Sequence, residues 1–232
     1  MLKWFRRIAI SVLLVSAIAY FALPGWHRAL TPTLFGMHKI APQIYTDAPE
    51  KAKLQQALVS AARSQIKDFF GPLQTYPRYI ICTKQICEDR FALKTRGLNL
   101  GYHLVLIGEK GVNAMIIAHE TAHSELHRTM GPTAIIRPKF PQWFDEGLAS
   151  HLSNDTRLFV DSNPDWIKAA QNLRDWRNIT NADSWQRTYG AAWSLVRRFE
   201  QAHGQNALRE VVQRVESGED FDTVWHTFEL PE

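Results

Sequence analysis

The chain has 232 residues, of which 45% are hydrophobic and 22% charged, a balance typical of a globular protein with a substantial core. Its 27 basic and 23 acidic residues give a net charge of +4, but three of the basic residues precede an apolar run at the N-terminus: Lys3, Arg6 and Arg7. The remainder is close to neutral and has no stripe of basic residues with interleaved aromatics, which disfavours nucleic acid as a partner.

The N-terminal run predicts a single membrane-crossing helix. Residues 8–26 contain no charge, and such a helix needs about 20 apolar residues. Because the basic residues precede the run, the positive-inside tendency places the rest of the chain outside the cytoplasm, on the periplasmic side in a bacterium. A signal peptide with Ala17-Ile18-Ala19 as its cleavage site is the alternative. The chain therefore divides into a membrane anchor or signal segment (1–26), a connector (27–40) and a folded domain (41–232).

The first half of the domain is predicted to contain one helix and a small sheet. Apolar residues recur at helical intervals over 48–70, after the capping-box pair Asp47 and Glu50 and before Gly71-Pro72. Three runs rich in β-branched and aromatic residues follow, at 79–83, 87–94 and 102–107. They predict the strands of an antiparallel sheet.

The two cysteines lie in the first two of these runs. Cys82 and Cys87 are separated by four residues, which suits the neck of a hairpin. Export from the cytoplasm would place them where disulfides persist. We therefore expect a disulfide between them.

The second half of the domain is predicted to be helical. Helical periodicity covers 112–129, 141–152, 184–202 and 206–216, with Gly204 between the last two segments. Strands come first and helices later, without βαβ alternation or internal repeats. This order predicts an α+β fold.

The sequence HETAH, residues 119–123, carries the strongest chemical signal. On a helix, His119 and His123 share one face, so their imidazoles can bind the same metal ion. Glu120 lies about 100° round the helix, where it would serve as a general base beside the metal. A catalytic zinc site needs a third protein ligand and leaves one position for water. Leu126 and Thr129 stand where a metzincin would have glycine and histidine, which excludes that arrangement.

A second motif, PQWFDEGLASHL at 141–152, offers an acidic third ligand. HETAH followed by WFDEGLA resembles the gluzincin zinc metallopeptidases, especially the peptidase MA-like group. The resemblance implies that Glu146 completes the zinc site with the two histidines, with Asp145 as the open alternative. It extends to 189–212, where Tyr189 would donate a hydrogen bond to the oxyanion of the attacked carbonyl. Tyr189 could instead be a core aromatic, and Ser150 could support a ligand histidine. His127 and His151 could approach the site or lie on the surface.

The resemblance implies a zincin-like domain with a small antiparallel or mixed sheet, an active-site helix and a helical C-terminal part. This domain would follow the transmembrane helix predicted from the N-terminal run. The expected function is zinc-dependent hydrolysis of peptide bonds in peptides or proteins, with Glu120 as general base on a zinc-bound water. No counterpart of the GAMEN-type motif of related aminopeptidases is present, which favours an endopeptidase. A membrane-anchored zinc scaffold without turnover is the alternative. The sequence does not indicate the oligomeric state.

Overall fold

A computed structural model describes residues 2–23, 25–130 and 138–228 of the chain. Five strands form one mixed sheet in the order β1-β2-β3-β5-β4. They are β1 (His38–Ala41), β2 (Ile44–Thr46), β3 (Arg78–Ile81), β4 (Gly97–Leu100) and β5 (Leu104–Ile107). β2, β3 and β5 run parallel, whereas β1 and β4 pair antiparallel with their neighbours. The α+β class is confirmed, and of the two predicted forms of the sheet, antiparallel or mixed, the mixed form is the one observed.

The run 87–94 was predicted as a strand, but the structure has a helix, α3 (Gln85–Phe91), at this point. The reason is the spacing of its apolar residues: Cys87 and Phe91 are four apart and are both buried on one side of the helix. The Cys82–Cys87 disulfide is confirmed. It joins the residue after β3 to α3, and not the two strands of a hairpin.

The remaining helices follow the predicted order with two additions. They are α1 (Leu2–Ala22), α2 (Ala52–Phe70), α4 (Ala114–Leu126), α5 (Gln142–Leu152), α6 (Leu173–Ala182), α7 (Trp185–Glu216) and α8 (Phe221–His226). The sequence analysis missed α6 and α8. Gly204, with a φ of 82°, interrupts α7 where a helix end was predicted. The capping box is wrong, because Asp47 accepts hydrogen bonds from Thr83 and not from the start of α2.

Two cores lie on opposite faces of the sheet. Along β3, Tyr79 and Ile81 face the larger core with α2, α4, α5 and α7, while Ile80 faces the smaller core. The segment predicted as a connector contributes Ala29, Phe35 and Met37 to the smaller core, against α3. The larger core places α4 against the sheet, where the Tyr79 hydroxyl hydrogen-bonds that of Thr121.

The predicted N-terminal membrane anchor is corrected by the structure. Among residues 2–23, 25–130 and 138–228, no helix is long and apolar enough to cross a membrane. Lys3, Arg6 and Arg7 occupy the first turns of α1, so its uncharged part covers only residues 8–22. At roughly 1.5 Å per residue this part spans about 22 Å, whereas the hydrocarbon core of a bilayer is about 30 Å thick. The localisation inferred from the anchor is therefore withdrawn.

Gly147 allows α5 to lie directly against α7. A Cβ atom at this position would stand 2.5 Å from the carbonyl oxygen of Ala192 and 3.0 Å from a methyl group of Val196. The contact with Ala192 is to backbone, which cannot rotate away as a flexible side chain can. The glycine of the second motif therefore sets the distance between the helix that carries Asp145 and Glu146 and the long helix behind it.

We expect Gly147→Ala to destabilise the protein. The added methyl group must push α5 and α7 apart, which we expect to cost about 1–3 kcal/mol even though alanine favours a helix over glycine. Urea unfolding of the purified chain measures this change. Ser60→Ala, at an exposed position of α2, is the control and should stay within about 0.5 kcal/mol of wild type. Equal effects of the two substitutions would contradict the steric argument.

Candidate metal site

The helix α4 places the HETAH motif inside the protein. Asn113 caps its N-terminus, where its side-chain oxygen accepts the backbone N–H of Ile116 at 2.9 Å. Every residue from 116 to 126 is buried, because the sheet, α2 and α5 cover the helix. His119 and His123 lie one turn apart, with their Nε2 atoms 3.1 Å from each other.

The helix α5 brings a carboxylate to the same point. The Oε2 atom of Glu146 lies 3.3 Å from Nε2 of His119 and 3.5 Å from Nε2 of His123. Its other oxygen, Oε1, accepts a hydrogen bond of 3.2 Å from the side-chain amide of Gln142, one turn earlier. Gln142 therefore holds one oxygen of the carboxylate and leaves the other facing the two imidazoles.

These three atoms have the mutual distances of ligands on one metal ion. With bonds of about 2.0–2.2 Å to imidazole nitrogen and carboxylate oxygen, tetrahedral ligands stand roughly 3.3–3.5 Å apart. The two separations from Glu146, 3.3 and 3.5 Å, fall in this range, and the separation of 3.1 Å between the two nitrogens is slightly shorter. Within the described residues, Oε2 of Glu146 is buried and makes no hydrogen bond. This group of buried side chains could hold a metal ion.

Asp145, the alternative ligand, faces a different atom. Its Oδ1 lies 2.8 Å from Nδ1 of His123, on the far side of that ring from Nε2. Its Oδ2 lies 2.7 Å from Nε2 of His127, which is partly buried and not a surface residue. His123, His127 and Asp145 are close enough to be considered a second metal group. However, separations of 2.7–2.8 Å are those of hydrogen bonds and are too short for two ligands of one ion.

The carboxylates and imidazoles of the site shift one another's pKa values. Burial alone would raise the pKa of Glu146, but the nearby imidazoles, His123 foremost, lower it to about 2. Burial alone would likewise raise the pKa of Asp145, yet His127 and His123 lower it far below its usual value. Burial alone would lower the pKa of His123, but the carboxylates of Asp145 and Glu146 outweigh it and raise this pKa well above its usual value. The site thus holds two ionised carboxylates that need positive charge beside them.

Glu120 lies on α4 beside this group, and the strand β4 passes directly over it. A Cβ atom on Gly97 would stand 2.7 Å from Cγ of Glu120, so only glycine leaves room for this side chain. Burial raises the pKa of Glu120, and the imidazoles of His119 and His123 oppose that rise. A carboxyl group with a raised pKa is suited to accept and return a proton near neutral pH.

Tyr189, at the start of α7, also reaches the site. Its ring centroid lies 6.2 Å from that of His119 and 4.9 Å from that of Trp176. Burial, followed by the charges of Glu146 and Glu120, raises the pKa of Tyr189 well above its usual value. Its hydroxyl therefore keeps its proton and can act as a hydrogen-bond donor.

Other residues considered from the sequence have different positions. Within the described residues the buried hydroxyl of Ser150 makes no hydrogen bond, so its supporting role stays a prediction. His151 pairs with Glu200 of α7 at 2.8 Å and is not part of the metal group. The sequence analysis missed Gln142 and Asn99. Gln142 precedes Glu146 by one helical turn, a spacing that could have revealed it, but Asn99 lies on a strand that was not predicted.

No model of a known protein family matches the chain, and no curated protein does.

We expect Glu146→Gln and Asp145→Asn to weaken metal binding to different extents. The first substitution replaces a proposed ligand, whereas the second keeps the three proposed ligands and weakens the hydrogen bonds of Asp145 to His123 and His127. A change of this second type typically costs about 10–100-fold in affinity. Metal titration of the purified protein in competition with a chelator measures both constants. The larger loss should belong to Glu146→Gln, and the reverse ranking would identify Asp145 as the ligand.

Proposed function

We propose that the chain is a zinc-dependent peptidase of the gluzincin type, which hydrolyses internal bonds of peptides or proteins. The observation that carries the proposal is the convergence of His119 Nε2, His123 Nε2 and Glu146 Oε2 at distances of 3.1–3.5 Å. Among the described residues, this group offers three donors and not four. A purely structural zinc site normally closes with a fourth protein ligand, whereas a catalytic site keeps one position open.

The residues around this group match the needs of amide hydrolysis. The chemistry that a bound zinc ion supplies at such a site is polarisation of the carbonyl and a lower pKa for the attacking water. Glu120 is adjacent to the two histidines but is not a member of the ligand group. In the proposal it takes the proton of the attacking water and delivers it to the leaving amine.

Tyr189, whose ring centroid lies 6.2 Å from that of His119, supports the same step. With its proton retained, it can donate a hydrogen bond to the oxygen of the attacked carbonyl as negative charge develops there. The rings of Trp176 and Trp185 pack against it edge-on and restrict its orientation. We assign Tyr189 this role within the proposal.

The strand β4 supports a peptide as the substrate class. It is the last strand of the sheet, paired with β5 on one side and, within the described residues, with no strand on the other. It lies against α4, with Gly97 over Glu120 and the Asn99 amide bonded to the Glu120 carbonyl at 3.1 Å. An extended peptide can add to such an edge by backbone hydrogen bonds, which would place its amide bonds beside the base.

We expect Glu120→Gln to abolish hydrolysis without loss of the metal. The amide keeps the size of the side chain but cannot take a proton, and loss of a general base alone costs about 10²–10⁴-fold in rate. Cleavage of a broad peptide library by the zinc-loaded wild type and variant measures the effect, with zinc content determined in parallel.

Two outcomes of this assay would overturn the proposal. Activity of Glu120→Gln within a few-fold of an active wild type would exclude Glu120 as the base. A wild type that holds one zinc ion and cleaves no member of the library would favour the zinc scaffold without turnover.

A further inference from the structure

A continuous series of hydrogen bonds runs from the edge strand β4 to the back of one metal-binding histidine. It passes through Asn99, His127 and Asp145 to Nδ1 of His123. The metal group itself needs only the Nε2 side of His123. The series therefore involves side chains that the proposed catalytic steps do not use.

The amide of Asn99 has a defined orientation. Its Nδ2 donates to the backbone carbonyl of Glu120 at 3.1 Å and to the hydroxyl of Ser124 at 2.8 Å. A carbonyl oxygen can only accept, so the reverse orientation would place two acceptors against each other. Oδ1 of Asn99 must therefore be the atom that faces Nδ1 of His127, at 3.3 Å.

His127 lies between two oxygen acceptors. Nδ1 faces the amide oxygen of Asn99, and Nε2 faces Oδ2 of Asp145 at 2.7 Å. The ring also stacks on that of His123, with centroids 5.6 Å apart and an angle of 27° between the planes. His127 is thus held by an oxygen atom that faces each of its ring nitrogens and by a ring contact on its face.

Asp145 connects this series to the metal ligand. One oxygen accepts from His127 and the other from Nδ1 of His123, and the side chain is 8% exposed. A carboxylate held at both oxygens cannot rotate, so the direction of its bond to His123 is defined. A hydrogen on Nδ1 leaves the lone pair of Nε2 for the metal.

We propose that Asn99 and His127 are positioning residues, which hold Asp145 so that the His123 ring keeps its metal-binding tautomer and orientation. The inference rests on the proposed metal site but not on turnover. It assigns a role to His127, the residue that directly follows α4 and lies four positions after His123. It also makes the geometry of the metal ligand depend on β4, the strand on which the substrate is proposed to bind.

A double-mutant cycle on zinc affinity tests this inference. If His127 acts through Asp145, His127→Ala should raise the zinc dissociation constant about 10-fold in the wild type and less than about 2-fold when Asp145→Asn is already present. Chelator competition with the full chain measures all four constants. Asn99→Ala provides a second test if His127→Ala does not fold. It should raise the zinc dissociation constant at least about 3-fold in the wild type but not when Asp145→Asn is already present.

His151→Ala is the matched control. His151 is also a partly buried histidine paired with a carboxylate, Glu200, but it lies outside the metal group. It should leave zinc affinity unchanged even if the melting temperature falls. The visible absorption of the Co²⁺-loaded protein is a second readout, since a change in ligand geometry should alter the spectrum of His127→Ala and not that of His151→Ala.

The outcomes separate this inference from the proposed function. The positioning role is overturned if His127→Ala raises the zinc dissociation constant by the same factor with and without Asp145→Asn. It is also overturned if the rise in the wild type is below about 2-fold. Hydrolysis would remain possible in either case. A wild type that binds zinc and shows the expected cycle but cleaves no peptide would overturn the peptidase and leave the positioning role intact.

Discussion

The burial of α4 on every side is the constraint on which the rest of the structure depends. Four of its buried residues can carry a charge: His119, Glu120, His123 and Glu125. A charged or polar group taken out of water is costly unless other groups replace the lost hydrogen bonds. The neighbouring elements must therefore supply a partner for each of these side chains, and the fold around α4 can be understood from how they do so.

The buried carboxylate of Glu125 has a hydrogen-bond donor at each of its oxygens. Its carboxylate accepts the backbone N–H of Gln74 at 3.0 Å and that of Thr75 at 2.9 Å, together with the Thr75 hydroxyl. These bonds tie the C-terminal part of α4 to the segment that leads into β3. The side chains around the two histidines are not hydrogen-bonded as completely as Glu125. Within the described residues, Nδ1 of His119 and Oε2 of Glu146 are buried without a hydrogen bond.

This contrast distinguishes a structural carboxylate from a site that can bind a ligand. The protein satisfies Asp145 at both oxygens, but it directs one oxygen of Glu146 at two imidazole nitrogens, and in the part of the chain that the structure describes this oxygen makes no hydrogen bond. Two close approaches make the arrangement possible. Gly147 lets α5 lie against α7, and Gly97 lets β4 lie over Glu120, each at a position where a methyl group would collide.

The long helices could be predicted because their patterns are local. In α4, α5 and α7, apolar residues recur at intervals that one helical turn brings together, with turn or capping residues near their ends. The short strands could not be predicted in the same way. β1, β2 and β4 have three or four residues each, too few for an alternation to stand out from its surroundings. α3 was mistaken for a strand because its seven residues cover only about two helical turns, too few for a helical period to stand out.

The sequence by itself determined that His119 and His123 share a helical face, because a spacing of four residues is one turn of any α-helix. It also determined that α5 would present adjacent carboxylates, Asp145 and Glu146. Only the tertiary structure decided which carboxylate faces Nε2 of the histidines and which faces Nδ1. Neighbouring helical residues point about 100° apart, so the choice depends on the angle at which α5 packs against α4. That angle is set by contacts far apart in the chain, among them Gly147 with Ala192, which no local pattern contains.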